Sequence, residues 1–91
     1  MISHYADRRL KRLMTKGDPT GLPASDIKKI LAILTRLNKA KSPEDMRQSG
    51  WRLHLLSNSN GLWSVRVNAN DRIVFRFIGE NAVDVEYIDY H

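Results

Sequence analysis

Ninety-one residues give one core room to form and leave none for a second. The absence of cysteine excludes disulfides and thiolate metal sites and fits a reducing cytosol, while apolar runs broken by charge exclude a membrane span. Net charge is +5, which points toward a polyanionic partner, and it is uneven: residues 1–52 hold twelve Lys and Arg against five Asp and Glu, residues 53–91 three against five.

The opening "MISHYADRRLKRL" has no apolar stretch of signal-peptide length, and "MISHY" suggests a short first strand. "ADRRLKRLMTKG" places Ala6, Leu10, Leu13 and Met14 at helical spacing and stops at Gly17. "GDPTGLP" is dense in turn formers. "PASDIKKILAILTRLNKA" then runs Ile27, Ile30, Leu31, Leu34 and Leu37 along one stripe, with Pro23 in the first turn and Ser25 or Asp26 as cap. "KSPEDMRQSG" reads as a loop with one helical turn after Pro43.

From Trp51 the apolar period changes from 3.6 to 2. Trp51, Leu53 and Leu55 alternate with Arg52, His54 and Leu56; Trp63, Val65 and Val67 with Ser64, Arg66 and Asn68; Ile73, Phe75 and Phe77 with Arg72, Val74 and Arg76. "AVDVEYIDYH" makes the last strand, and "SNSNG", "NAND" and "GEN" are turns by composition. The expected order is β-α-α-β-β-β-β: an α+β domain spanning residues 1–91, two N-terminal helices packed on an antiparallel sheet.

Alternation collects Arg52, His54, Ser64, Arg66, Arg72 and Arg76 on the face away from the helices. Guanidinium groups grip phosphate oxygens in pairs and imidazole moves protons near neutral pH, so this face suits phosphodiester chemistry. A solvated face with cross-strand ion pairs to Asp84 and Glu86 would carry the same residues. His4 looks like an exposed residue without a partner. The last three residues, Asp89, Tyr90 and His91, add further proton-holding groups to the end of a strand of the same sheet. No carboxylate cluster for two metals is evident, and neither metal nor cofactor is expected.

"WRLHLLSNSNGLWSVRVNANDRIVFRF" followed by "VEYIDYH" resembles the HigB-like toxins of the RelE superfamily, the plasmid maintenance killer group, in the order and spacing of its pieces and over nearly the whole chain. The resemblance implies a RelE-like fold and a cytoplasmic endoribonuclease that cuts messenger RNA, without metal, in the A site of the 70S ribosome. It implies a HigA-like helix-turn-helix antitoxin, which alone would bring operator DNA into the complex. By motif, His54, Arg66, Arg72, Asp89, Tyr90 and His91 fall on catalytic positions. Arg8, Arg9, Lys11, Arg12, Lys28, Lys29 and Arg76 are the cations expected to meet RNA and the ribosome. One departure stands out: relatives often carry a basic residue in the loop after the strand histidine, whereas "LLSNSNG" has none, and Arg76 is the candidate substitute. A ParE-like gyrase inhibitor is the nearest rival reading; it would not require His54 or the terminal "DYH". A non-catalytic RNA-binding module is the second, and the inward parity of Trp51, Trp63, Phe75 and Phe77 weighs against it.

Overall fold

The computed structural model describes residues 1–89. Helix α1 runs Arg8–Lys16 and begins where Asp7 caps it, the carboxylate accepting from the Arg9 N–H at 3.0 Å. Gly17 ends it at φ 68, where the Gly17 and Asp18 amides close back on the Leu13 and Arg12 carbonyls. Helix α2, Ile27–Lys39, follows a 3₁₀ turn at Ala24–Asp26. Asp26 takes the cap position but its side chain makes no cap bond; it accepts instead from Asn68 Nδ2 at 2.8 Å. A second 3₁₀ turn, Pro43–Met46, carries the expected turn after Pro43.

The buried stripe of α2 is Ile30, Ile33, Leu34 and Leu37. Leu31, expected inside, is 40% exposed, because Ile33 continues the spiral through the side that meets the sheet. The sheet is a meander in the order β1-β2-β3-β4: His54–Leu55, Trp63–Arg66, Asp71–Ile78 and Asn81–Asp89, antiparallel throughout. "MISHY" forms two isolated parallel bridges to β4, Ile2 to Ala82 and Tyr5 to Val85, rather than a full strand. Val65, Ile73, Phe75, Val85 and Tyr87 join Leu10, Leu13 and the α2 stripe in one core. That burial is the main term holding the helices to the sheet. No helix among the described residues is long and apolar enough to cross a membrane.

Strand β1 is shorter than its alternation predicts. Arg52 sits at φ 52, in the left-handed region, and the Trp51 carbonyl is taken by the Arg66 amide at 2.7 Å. Extended pairing therefore starts only at His54, and Leu55, expected inside, is 52% exposed on this short edge. The β3–β4 ladder contains a bulge: Val74 opposes Glu86 and Arg76 opposes Val83, so Val85 and Asp84 stand against Phe75 alone. Asp84 absorbs the extra residue at φ 54.

Candidate active site

The register places His54, Ser64, Val74 and Glu86 in one row across all four strands, on the face away from the helices. The next row holds Arg66, Arg72 and Ile88. Arg66 and Arg72 are direct cross-strand partners, which sets two guanidinium-bearing positions side by side, an arrangement that can grip one anion from two sides. His54 lies diagonally from Arg66, a spacing of roughly 7–8 Å in an antiparallel pair. Three sequence-predicted site residues thus share one patch, which a phosphodiester with its neighbouring sugar could span.

His54 is exposed, and its Nδ1 lies 3.2 Å from the Arg52 carbonyl oxygen. A carbonyl can only accept, so that contact places the proton on Nδ1 and leaves the lone pair on Nε2. Arg66 is half-buried, with Nε donating to the Asn68 carbonyl at 3.1 Å, so its guanidinium is aimed rather than loose. Arg72 is likewise half-buried. Asn68 in turn is fixed by its own turn: its Oδ1 accepts from the Asn70 and Asp71 amides, and its Nδ2 reaches both Asp26 and Asp71. Ser64, fully buried at the centre of the His54 row, has no hydrogen-bond partner for its hydroxyl among the described residues.

Arg76 stands on the same face, engaged on three sides. Its Nε donates to Asp84 Oδ2 at 2.9 Å, and its Nη1 to the Ser59 and Asn60 carbonyls at 3.0 and 3.2 Å. A guanidinium from β3 therefore lies in the very loop that lacks a basic residue of its own. Asp84 also meets His4, Nδ1 to Oδ1 at 3.0 Å, so His4 is exposed but not partnerless as the sequence implied. Asp89 opposes Asp71 at the end of β4 and shares the parity of Tyr87, not that of Ile88 beside Arg72. Tyr90 and His91 lie outside the described residues.

Apart from Arg76, the expected docking cations lie on the helical side of the sheet. Arg8, Lys11 and Lys28 are exposed and Arg12 is half-buried. Lys29 stacks over the Trp51 ring at 5.6 Å. Lys28, Arg36 and Lys39 rim a groove of about 760 Å³ whose floor includes Leu31, Ala32 and Trp51. Arg9 is different. It forms a fork with buried Asp7, Nε and Nη2 at 3.0 and 2.7 Å, and lies 5.5 Å over the Tyr87 ring. Burial pushes the Asp7 carboxyl up, but the Arg9 side chain and the Tyr87 and Arg9 amides outweigh it and hold the group below its usual range. Tyr87 donates its hydroxyl to Asp71 at 2.7 Å, and burial with that acceptor raises its phenol. No group of three or more His, Asp or Glu able to hold a metal ion is found among the described residues.

A histidine beside an opposed arginine pair, on the open face of a small α+β domain, is an arrangement with the chemistry to hold a phosphate group. A family model described as the RelE-like toxin of the type II toxin–antitoxin system HigB matches residues 3–91. Endoribonuclease HigB of Proteus vulgaris is 36% identical over 92 residues, covering all of both chains. The chain belongs to the HigB-like, RelE-like toxins of type II toxin–antitoxin systems, and that membership implies an antitoxin partner. The sequence offered Asp84 as a partner for the strand arginines without singling out Arg76, and it did not reveal the Arg52 carbonyl against His54. Both contacts depend on left-handed backbone at non-glycine residues, which alternation does not reveal.

Proposed function

We propose that this protein is an endoribonuclease toxin that cleaves messenger RNA in the ribosomal A site, without metal, and thereby arrests translation. Supporting it are family membership, the full-length likeness to a protein named as an endoribonuclease, and above all the placement of His54 next to the Arg66–Arg72 pair. In this reading His54 takes the proton of the ribose 2′-OH through Nε2, the nitrogen its contact with the Arg52 carbonyl leaves basic. The oxygen then attacks phosphorus, Arg66 and Arg72 stabilise the charge gathering on the non-bridging oxygens, and a protonated group releases the 5′-oxygen. The motif resemblance makes Asp89, Tyr90 and His91 catalytic positions; with His54 as base, His91 is the group left for that last step, Tyr90 stacks on a base or relays a proton, and Asp89 orients a neighbour or anchors the chain end. Arg8, Lys11, Arg12, Lys28 and Lys29 dock the protein on ribosomal RNA through phosphate contacts. The setting is the cytoplasm, and the antitoxin is a HigA-like helix-turn-helix protein.

The test is cleavage of messenger RNA on programmed ribosomes, with free RNA and DNA gyrase assayed in parallel. Cleavage on ribosomes by the wild type, with free RNA a poor substrate, is the expected result. Gyrase inhibition without RNA cleavage would move the protein to the ParE-like reading.

A further inference from the structure

We propose that Asp84 is a positioning residue for His54, acting through Arg76 and the loop at residues 56–62; the inference rests on the nuclease reading of this face. Strand β1 is two residues long and lies at the sheet edge, so its few ladder bonds, each contributing about 1 kcal/mol net, hold His54 only weakly. The loop that follows is knitted internally. Leu56 N–H donates to the Leu62 carbonyl at 2.8 Å, and the Ser59 hydroxyl accepts from the Leu62 amide at 3.1 Å. These bonds close the loop between β1 and β2 but do not tie it to β3. Arg76 does so, its Nη1 reaching the Ser59 and Asn60 carbonyls from two strands away.

A long arginine side chain has many rotamers, and Asp84 selects this one by accepting from Nε at 2.9 Å. The bulge is what makes that bond possible. By inserting one extra residue into β4 opposite Phe75, it turns the Asp84 carboxylate toward Arg76. His4 braces Asp84 from the N-terminal segment: its Nδ1 accepts from the Asp84 N–H at 3.3 Å and lies 3.0 Å from the other carboxylate oxygen. A non-glycine residue at φ 54 is an uncommon and costly conformation, sustained here by the contacts its side chain makes. The chain of contacts therefore runs from His4 through Asp84 and Arg76 to the loop, and from the loop to His54. Misplacing a catalytic group by about 1 Å can lower a rate by roughly 10²-fold.

Two substitutions separate positioning from stability. Asp84→Gly removes the carboxylate while relaxing the left-handed backbone, and Asp84→Asn keeps an acceptor for Arg76 and tolerates the same φ. On programmed ribosomes Asp84→Gly should keep the wild-type melting temperature or exceed it, and lose roughly 10- to 100-fold in kcat with KM changed less than about threefold. Asp84→Asn should stay within about threefold of wild type in both constants. Amide exchange at Leu56 and Leu62 should quicken in Asp84→Gly, with Ile73 and Val85 in the sheet unchanged. Wild-type kcat in Asp84→Gly, or unchanged exchange at Leu56 and Leu62, would overturn the proposal. Should the wild type itself not cleave, the nuclease reading falls, and exchange at those two amides still decides whether Asp84 holds the loop.

Discussion

The two layers of this molecule both carry positive charge and hold it differently. On the helical side Arg8, Lys11 and Lys28 stand exposed, and Lys29 rests its ammonium on Trp51. On the open sheet face Arg66, Arg72 and Arg76 are half-buried, and two of them are visibly aimed, Arg66 by the Asn68 carbonyl and Arg76 by Asp84. Exposed, strongly hydrated ammonium groups steer a partner and fasten to phosphates in a salt-dependent way. Held guanidinium forks meet charge as it develops in a reaction, with little reorganisation at that moment. Under the proposed function, the contrast assigns attraction of RNA to net charge and action on it to side-chain restraint. Arg9 warns against counting charges alone, since it lies in the basic helix yet serves the fold through Asp7 and Tyr87.

His54→Ala should produce the largest effect. Losing a general base typically lowers a rate by about 10²–10⁴-fold, and because His54 is exposed at a sheet edge the melting temperature should hardly move. Growth arrest on expression and ribosomal cleavage measured side by side check it. Equal toxicity at matched protein levels would remove His54 from the site. Arg66→Ala and Arg72→Ala come next, each with a loss in kcat of about 10²–10³-fold. Neither side chain belongs to the core, so each truncation leaves the packing intact and thermal unfolding should show at most a modest loss of stability. A rate loss accompanied by a large drop in stability would make these arginines structural.

Asp7→Ala should leave the site chemistry alone and cost about 2–3 kcal/mol of stability, because it removes a helix cap and strips partners from Arg9 and the Tyr87 amide. The sign with pH follows from the lowered carboxyl. Asp7 is ionised in the folded chain below its ordinary value of 3.8, so its contribution is present above that value and lost as pH falls through the folded one. Denaturant melts at pH 7 and pH 3 should therefore differ more for wild type than for Asp7→Ala. Ser64→Ala should be the mildest of the set, within about 1 kcal/mol and of stabilising sign, since the buried hydroxyl it deletes has no partner among the described residues.

Much of this layout was legible in the sequence. The switch of period at Trp51 separated helices from sheet, and the tight "NAND" turn brought Arg66 and Arg72 onto one face, where they prove to be direct partners. What escaped was set by backbone that no pattern of apolar residues encodes. The left-handed Arg52 shortens β1 and exposes Leu55, and the bulge at Asp84 ties Arg76 into a loop two strands away. Arg9, expected among the docking cations, forks onto buried Asp7 and lies over the Tyr87 ring, contacts that its place in a basic helix does not reveal.

The central claim is that sheet arginines govern the chemical step and helix lysines govern docking. Messenger RNA cleavage on programmed ribosomes, measured for wild type, Arg66→Ala and the pair Lys28→Ala with Lys29→Ala over a range of toxin and salt concentrations, tests it most directly. The lysine variant should recover the wild-type rate at saturating toxin and show a shallower salt dependence, while Arg66→Ala should stay slow at any concentration. Recovery of Arg66→Ala at high toxin, or a lysine variant that stays slow there, would contradict it.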